Sequence, residues 1–160
     1  MPSTAFEAAL QTMLHSNQQA AQIMMAHRCY GMTDVTGFGL ARHLTSLLKQ
    51  CHLNGAEIHL SCIPILPHAL SLTDEGVSSS LYAQNKSSVF LQTDYNRHFV
   101  AESLAIENLL FDPQTAGGVV GLVPQTEAEQ VINALHQAGY HSASIIGNCN
   151  KSLQNITLIN

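Results

Sequence analysis

The chain has 160 residues, 46% of them hydrophobic and 11% charged, with six Lys and Arg against eleven Asp and Glu for a formal charge of −5 at neutral pH. The apolar content excludes a disordered tail, which needs low hydrophobicity and high charge, and the acidic balance with scattered cations excludes the basic patch of a nucleic-acid binder. Soluble domains average about 25% charged residues, so a chain this poor in charge points either to a surface of Ser, Gln, Asn and His or to a face that another domain covers.

The length suits a single domain over residues 1–160, or one part of a larger protein. The start, Met1 to Glu7, lacks a basic and apolar leader. No apolar run reaches the roughly 18 residues that cross a membrane. A cytoplasmic location is the default expectation, with neither membrane nor nucleic acid as a partner. Cys29, Cys51, Cys62 and Cys149 form no CxxC pair, and the nine histidines form no HExxH, so zinc spacing is missing. Four such cysteines fit a reducing compartment better than a disulfide scaffold.

Phe6, Leu10, Met13 and Leu14 recur at helical spacing, Ser16-Asn17 offers a break, and Ala20, Ala21, Met24 and Met25 continue the pattern to residue 27. Gly31 to Leu40 holds three glycines and reads as a turn that delivers the chain into a helix over 37–51. That helix carries Leu40, Leu44, Leu47, Leu48 and Cys51 on one face, Thr36 or Asp34 is placed to cap it, and Gly55 stops it. Residues 56–60 alternate as a half-buried strand. Pro67 opens a short helix through Leu72, and Gly76 with the serines after it forms a loop. Leu81 to Asn85 is a helical turn, Val89 to Leu91 a strand, and 95–106 a helix.

Phe111 to Gly118 is a second glycine-containing turn, followed by a strand over Val119–Val123. Thr126 and Glu129 have the spacing of a capping box. The helix behind them turns Ala128, Val131, Ile132, Leu135 and Ala138 inward and ends at Gly139. Ser144–Gly147 and Ile156–Ile159 are the last strands. The tail is therefore β-α-β-β, and the whole is α+β, a mixed β-sheet with helices packed on it.

Two segments are candidates for chemistry. Asp34, before a helix start, either caps the helix or faces a cleft and offers a hard oxygen ligand to Mg²⁺. The glycines beside it let a phosphate approach the backbone at a helix N-terminus, although no Walker lysine follows. Asp112-Pro-Gln-Thr-Ala-Gly-Gly118 poses the same question: Asp112 folds back onto its own turn, as Asp-Pro favours, or serves a cleft, and Gly117-Gly118 serves tight packing.

Thr33-Asp-Val-Thr-Gly-Phe-Gly-Leu40 resembles the TD(V/I)TGFGL signature of selenide, water dikinase, also called selenophosphate synthetase. Asp112 to Gly118 resembles its DPQTSGG signature, with Ala116 in the serine place. Gly76 to Asn85 is similar to its G-x-x-S-T-L-x-x-N segment, and Met13-Leu-His-Ser-Asn17 with Ala20-Ala21 to its M-x-x-L-N-x-x-A-A helix. Four motifs in order give the resemblance its specificity.

The resemblance covers the C-terminal, AIR-synthase-related domain of that enzyme. It implies a fold of that type, and an activity that makes selenophosphate from selenide, ATP and water with release of AMP and phosphate. It implies Asp34 as one ligand of Mg²⁺, and Thr36, Gly37 and Gly39 as the turn that presents it to ATP. The nucleophile, its lysine and most metal ligands would lie in an N-terminal domain. No catalytic residue is expected here, and the chain by itself should be inactive. The absent domain, ATP and selenide are the implied partners, and a homodimer stays open.

The sequence departs from the family at Arg42, which stands where a glycine is usual, and shows no clear family pattern between Asn85 and Asp112. Another ATP-dependent enzyme domain of the AIR-synthase superfamily, or a non-catalytic interaction module, are the alternative readings. For Asp112, Thr115, Gly117 and Gly118 a structural turn near the cleft is favoured.

Overall fold

The strongest helical pattern of the sequence lies at the centre of the fold. The computed structural model describes residues 3–90, 95–98 and 104–159. In chain order these form α1 (Ser3–Leu14), α2 (Gln18–Ala26), β1 (Gly31–Asp34), α3 (Gly39–Gln50), β2 (Gly55–His59), α4 (Ala69–Asp74), α5 (Tyr82–Phe90), β3 (Tyr95–His98), α6 (Leu104–Leu109), β4 (Val119–Leu122), α7 (Ala128–Gln137), β5 (Gly147–Asn150) and β6 (Ile156–Ile159). The architecture is the expected mixed α+β. A four-stranded mixed sheet has the order β3-β6-β2-β5, and β1 pairs with β4 as a separate antiparallel ribbon.

α3 buries Ala41, Leu44, Leu47 and Leu48. They join Ala56 and Ile58 of β2 and Ile156 and Leu158 of β6, together with Val89 and Phe111. At roughly 1.5–3 kcal/mol for each large side chain removed from water, this layer is the main source of stability. A second cluster packs Ala20 and Met24 of α2 on Val131 and Leu135 of α7.

The β1–β4 ribbon lies between the two clusters. Side chains alternate along a strand, so Val120 and Leu122 enter the larger core while Val119, with Val123 just beyond the strand, packs on the smaller one. A side chain at Gly121 would meet the Met24 sulfur at 2.5 Å. The ribbon therefore touches apolar groups on both faces and is held firmly at its Asp34 end, where Asp34 pairs with Val119.

Several boundaries differ from the sequence reading. Gly31 to Asp34 is a strand, not part of a turn, because it finds β4 some 85 residues later in the register Gly31↔Leu122. α3 is stopped by His52 in the left-handed region, with the Leu53 amide returning to the Leu48 carbonyl. Gly55 instead opens β2, where a Cβ would lie 2.4 Å from the Asn155 carbonyl oxygen. The helix after Pro67 begins at Ala69, since His68 is itself left-handed.

Val89 and Phe90 are helical, not a strand: α5 runs from Tyr82 to Phe90 and buries Val89, so core packing overrides the β-preference of valine. Leu91 lies outside the described residues. The expected helix over 95–106 is replaced by β3, parallel to β6 in the register Tyr95↔Ile156, and by α6 from Leu104; residues 99–103 lie outside the described residues. The Thr126–Glu129 capping box does not form. A 3-10 turn over Gln125–Glu127 puts Glu127 at the N-cap of α7, with no side-chain cap bond. The strand expected from Ser144 begins at Gly147, and β4 and β5 belong to different sheets, so the β-α-β-β tail spans both.

α7 ends as expected at Gly139, which is left-handed. Among the described residues, no helix is long and apolar enough to cross a membrane. The apolar stripe of α1 packs poorly: Ala5 alone is buried, and Phe6, Leu10, Met13 and Leu14 are exposed.

Gly55→Ala is expected to lower stability by about 1–3 kcal/mol, as overpacking does, because backbone rather than a side chain opposes the new methyl. Urea unfolding checks this; an unchanged midpoint would mean the Asn155 turn yields freely.

Candidate functional site

Asp34 is the last residue of β1 and is exposed. Its carboxylate does not cap α3. The N-cap of that helix is Phe38, with no side-chain cap bond, and the Thr36 carbonyl accepts from the Gly39 amide. Asp34 Oδ1 instead accepts from Asn17 Nδ2 at 2.9 Å, and the same nitrogen donates to the Gly117 carbonyl at 2.9 Å. One amide thus joins the α1–α2 junction, the Asp34 turn and the Gly117 turn.

A second asparagine works from inside. Asn85 on α5 is 5% exposed, and its Nδ2 donates to the carbonyls of Gly37 and Phe111, each at 3.0 Å. The two glycine-containing turns have backbone groups that no helix or sheet satisfies, and buried polar groups need partners. Asn85 supplies one for each turn. The Gln114 amide adds a direct link to the Thr36 carbonyl.

Thr36 is held by His43, one turn into α3. The Thr36 amide donates to His43 Nε2 at 3.1 Å, with Thr36 Oγ1 3.2 Å from the same nitrogen. An amide donating to Nε2 requires the neutral ring with its hydrogen on Nδ1. Burial pushes the His43 pKa down, and the negative charge of Asp34 partly offsets this.

The two glycines of the turn have different tasks. Gly39 is left-handed, and a Cβ there would stand 2.6 Å from the Leu110 carbonyl oxygen and 2.8 Å from the Phe111 carbonyl carbon. It is fixed by packing and faces the interior. A Cβ at Gly37 would meet nothing within 4 Å, so that flank of the turn is open. Phe38 between them is 59% exposed.

In the other turn, Gly117 is required by close approach, since a Cβ would lie 2.3 Å from the Val35 carbonyl oxygen, whereas Gly118 is open. Burial raises the Asp112 pKa, and the nearby Ser79 backbone opposes the rise. Asp112 lines a shallow hollow with Tyr82 and Asn108. The charged form is therefore penalised at neutral pH, and the penalty is relieved as pH falls through the raised value.

Among the described residues, no group of three or more His, Cys, Asp or Glu side chains stands close enough to hold a metal. Asp34 offers one hard, exposed carboxylate, a suitable donor for Mg²⁺, so the fit here extends to a single ligand. Arg42 lies on α3, where one guanidinium nitrogen is shielded from solvent with no hydrogen-bond partner among the described residues.

The roles of His43, Asn17 and Asn85 were not apparent from the sequence. An asparagine at Asn85, within the buried register that also holds Val89, is a signal that could have been read, because a buried amide must bridge something.

The family model described as AIR synthase related protein, C-terminal domain, matches residues 4–155. The chain is similar to the selenide, water dikinase of Pelobacter propionicus, at 32% identity over 88% of this chain and 39% of the relative. It is also similar to selenide, water dikinase 2 of Peptoclostridium acidaminophilum, at 33% over 84% of this chain and 38% of the relative. The selenide, water dikinase of Carboxydothermus hydrogenoformans is 30% identical over 91% of this chain and 41% of the relative. The chain thus spans about two fifths of the length of these relatives.

The His43 bond carries a pH dependence. With its folded pKa below the ordinary value of about 6.5, the ring contributes stability that is present above that value and lost as pH falls through the folded one. Denaturant unfolding between pH 7.5 and 5 is expected to show wild type losing more stability than His43→Gln over that window. Parallel curves would show that Thr36 does not depend on the neutral ring.

Proposed function

Since this chain belongs to the AIR synthase related C-terminal-domain family, we propose that it is the C-terminal domain of an ATP-dependent selenide, water dikinase. In this reading it is one cytoplasmic domain of a two-domain enzyme that converts selenide, ATP and water to selenophosphate, AMP and phosphate. It works with an ATP-binding N-terminal domain. The observation that carries the reading is the Asp34 carboxylate, exposed at the end of a strand and bonded to another segment rather than to its own helix.

Asp34 gives one oxygen ligand to Mg²⁺, and the other domain supplies the rest. Mg²⁺, when bound, neutralises phosphate charge during phosphoryl transfer. The chain's own residues do positioning work. His43 and Gln114 fix the Thr36 backbone, and Asn85 fixes the Gly37 carbonyl. Gly37 leaves an open flank through which a nucleotide phosphate approaches the turn. Of the three residues assigned to that turn, Gly37 is the one suited to direct contact, while Thr36 and Gly39 shape it. The exposed Phe38 suits a face that the other domain covers.

In the complete enzyme, Asp34→Asn is expected to reduce selenide-dependent AMP formation by 100-fold or more while leaving the unfolding midpoint nearly unchanged, because no helix cap is lost. The amide keeps size and one acceptor but loses the charge. Full turnover in this variant would sink the reading. The chain on its own is expected to form no AMP from ATP and selenide above a boiled control.

A further inference from the structure

Asn17 occupies the N-cap of α2, a position where asparagine ordinarily bonds to the first amides of its own helix, yet it makes no side-chain cap bond there. The neighbouring Ser16 hydroxyl accepts from the Gln18 amide instead. The Asn17 side chain is turned away to the Asp34 carboxylate and the Gly117 carbonyl. We propose that Asn17 is a positioning residue that sets the Asp34 carboxylate for a divalent cation, an inference that rests on the reading of Asp34 as a metal ligand.

The geometry gives the reason for this residue type. An amide –NH₂ carries two hydrogens, and the two acceptors, each at 2.9 Å, use both. The bond to Gly117 anchors the donor to the turn entering β4, two residues from Val119, the register partner of Asp34. The donor and the carboxylate it holds are therefore tied to the same ribbon. A carboxylate at an exposed strand end would otherwise sample several rotamers. With Oδ1 held by the amide, Oδ2 and the remaining lone pair of Oδ1 stay available to a cation. Partners that orient a ligating carboxylate in this way are worth about 10–100-fold in metal affinity. Aspartate at position 17 would have no hydrogen to give, and serine has only one, on a shorter stem.

The test uses Asn17→Ser in the complete enzyme, since serine is also a favourable N-cap and leaves the entry to α2 intact; Asn17→Thr substitutes should the serine variant not fold. Mn²⁺ alone is the probe, with the free ion followed by electron paramagnetic resonance, so that no turnover is needed. Asp34→Asn is titrated beside it. Asn17→Ser is expected to weaken Mn²⁺ binding about tenfold or more, and half-saturating Mg²⁺ in the activity assay should rise while kcat at saturating Mg²⁺ recovers. If Asp34→Asn weakens binding and Asn17→Ser does not, the positioning role is overturned and the Asp34 reading stands. If neither variant changes Mn²⁺ binding, the Asp34 reading fails and this inference falls with it.

Discussion

The buried amide of Asn85 is the constraint from which the rest of the site follows. Its two hydrogens bridge the carbonyls of Gly37 and Phe111, which lie in turns about 74 residues apart in sequence. Neither turn has a ladder of its own to hold it. A leucine at this position would remove both of these hydrogen bonds, and a buried acceptor left unsatisfied costs about 1–3 kcal/mol. The bridge ties the first turn to the second. Gly39 then lies against Leu110 and Phe111 so closely that no side chain fits, and His43 is brought under the Thr36 amide.

Hydrogen bonds from uncharged donors, rather than ion pairs, build this region. Asn17, Asn85, His43 and Gln114 connect the turns, and none of them carries a formal charge in the arrangement observed. This accounts for a chain of low charge that still has a well-specified site. The ion pairs found among the described residues lie elsewhere, where Glu127 meets His27 and Arg28 and joins α2 to the start of α7. Hydrogen bonds from His27 and then Arg28 hold the Glu127 carboxyl below its ordinary range. Asp34 is left as the carboxylate of its turn, with Asn17 as its neutral donor among the described residues.

The four segments whose spacing resembled the selenide, water dikinase signatures meet in space, but only part of that meeting was readable. The helical stripe of α3 and the inward face of α7 follow directly from residue periodicity. So does β2, where alternate residues enter the core. The register of the β1–β4 ribbon does not, because Gly31 to Asp34 contains no alternation and becomes a strand only by pairing with a distant segment. The same holds for β3, which sits beside β6, and for Val89, whose helical state is decided by the core it enters rather than by its own preference.

By itself the sequence determined the fold class, the two long amphipathic helices and the two glycine-containing turns, because these depend on residue type and local spacing. Only the tertiary structure decided what the polar side chains bond to. Local pattern offered Thr36 or Asp34 as a cap for α3 and Thr126 as a cap for α7, and neither helix takes a side-chain cap from these residues. A hydrogen bond is chosen by which donor and acceptor are brought within 3 Å, and for Asn17 the partners are 17 and 100 residues away. Local spacing holds no record of distances that long; the packing of α2 and α7 on the two-stranded ribbon creates them.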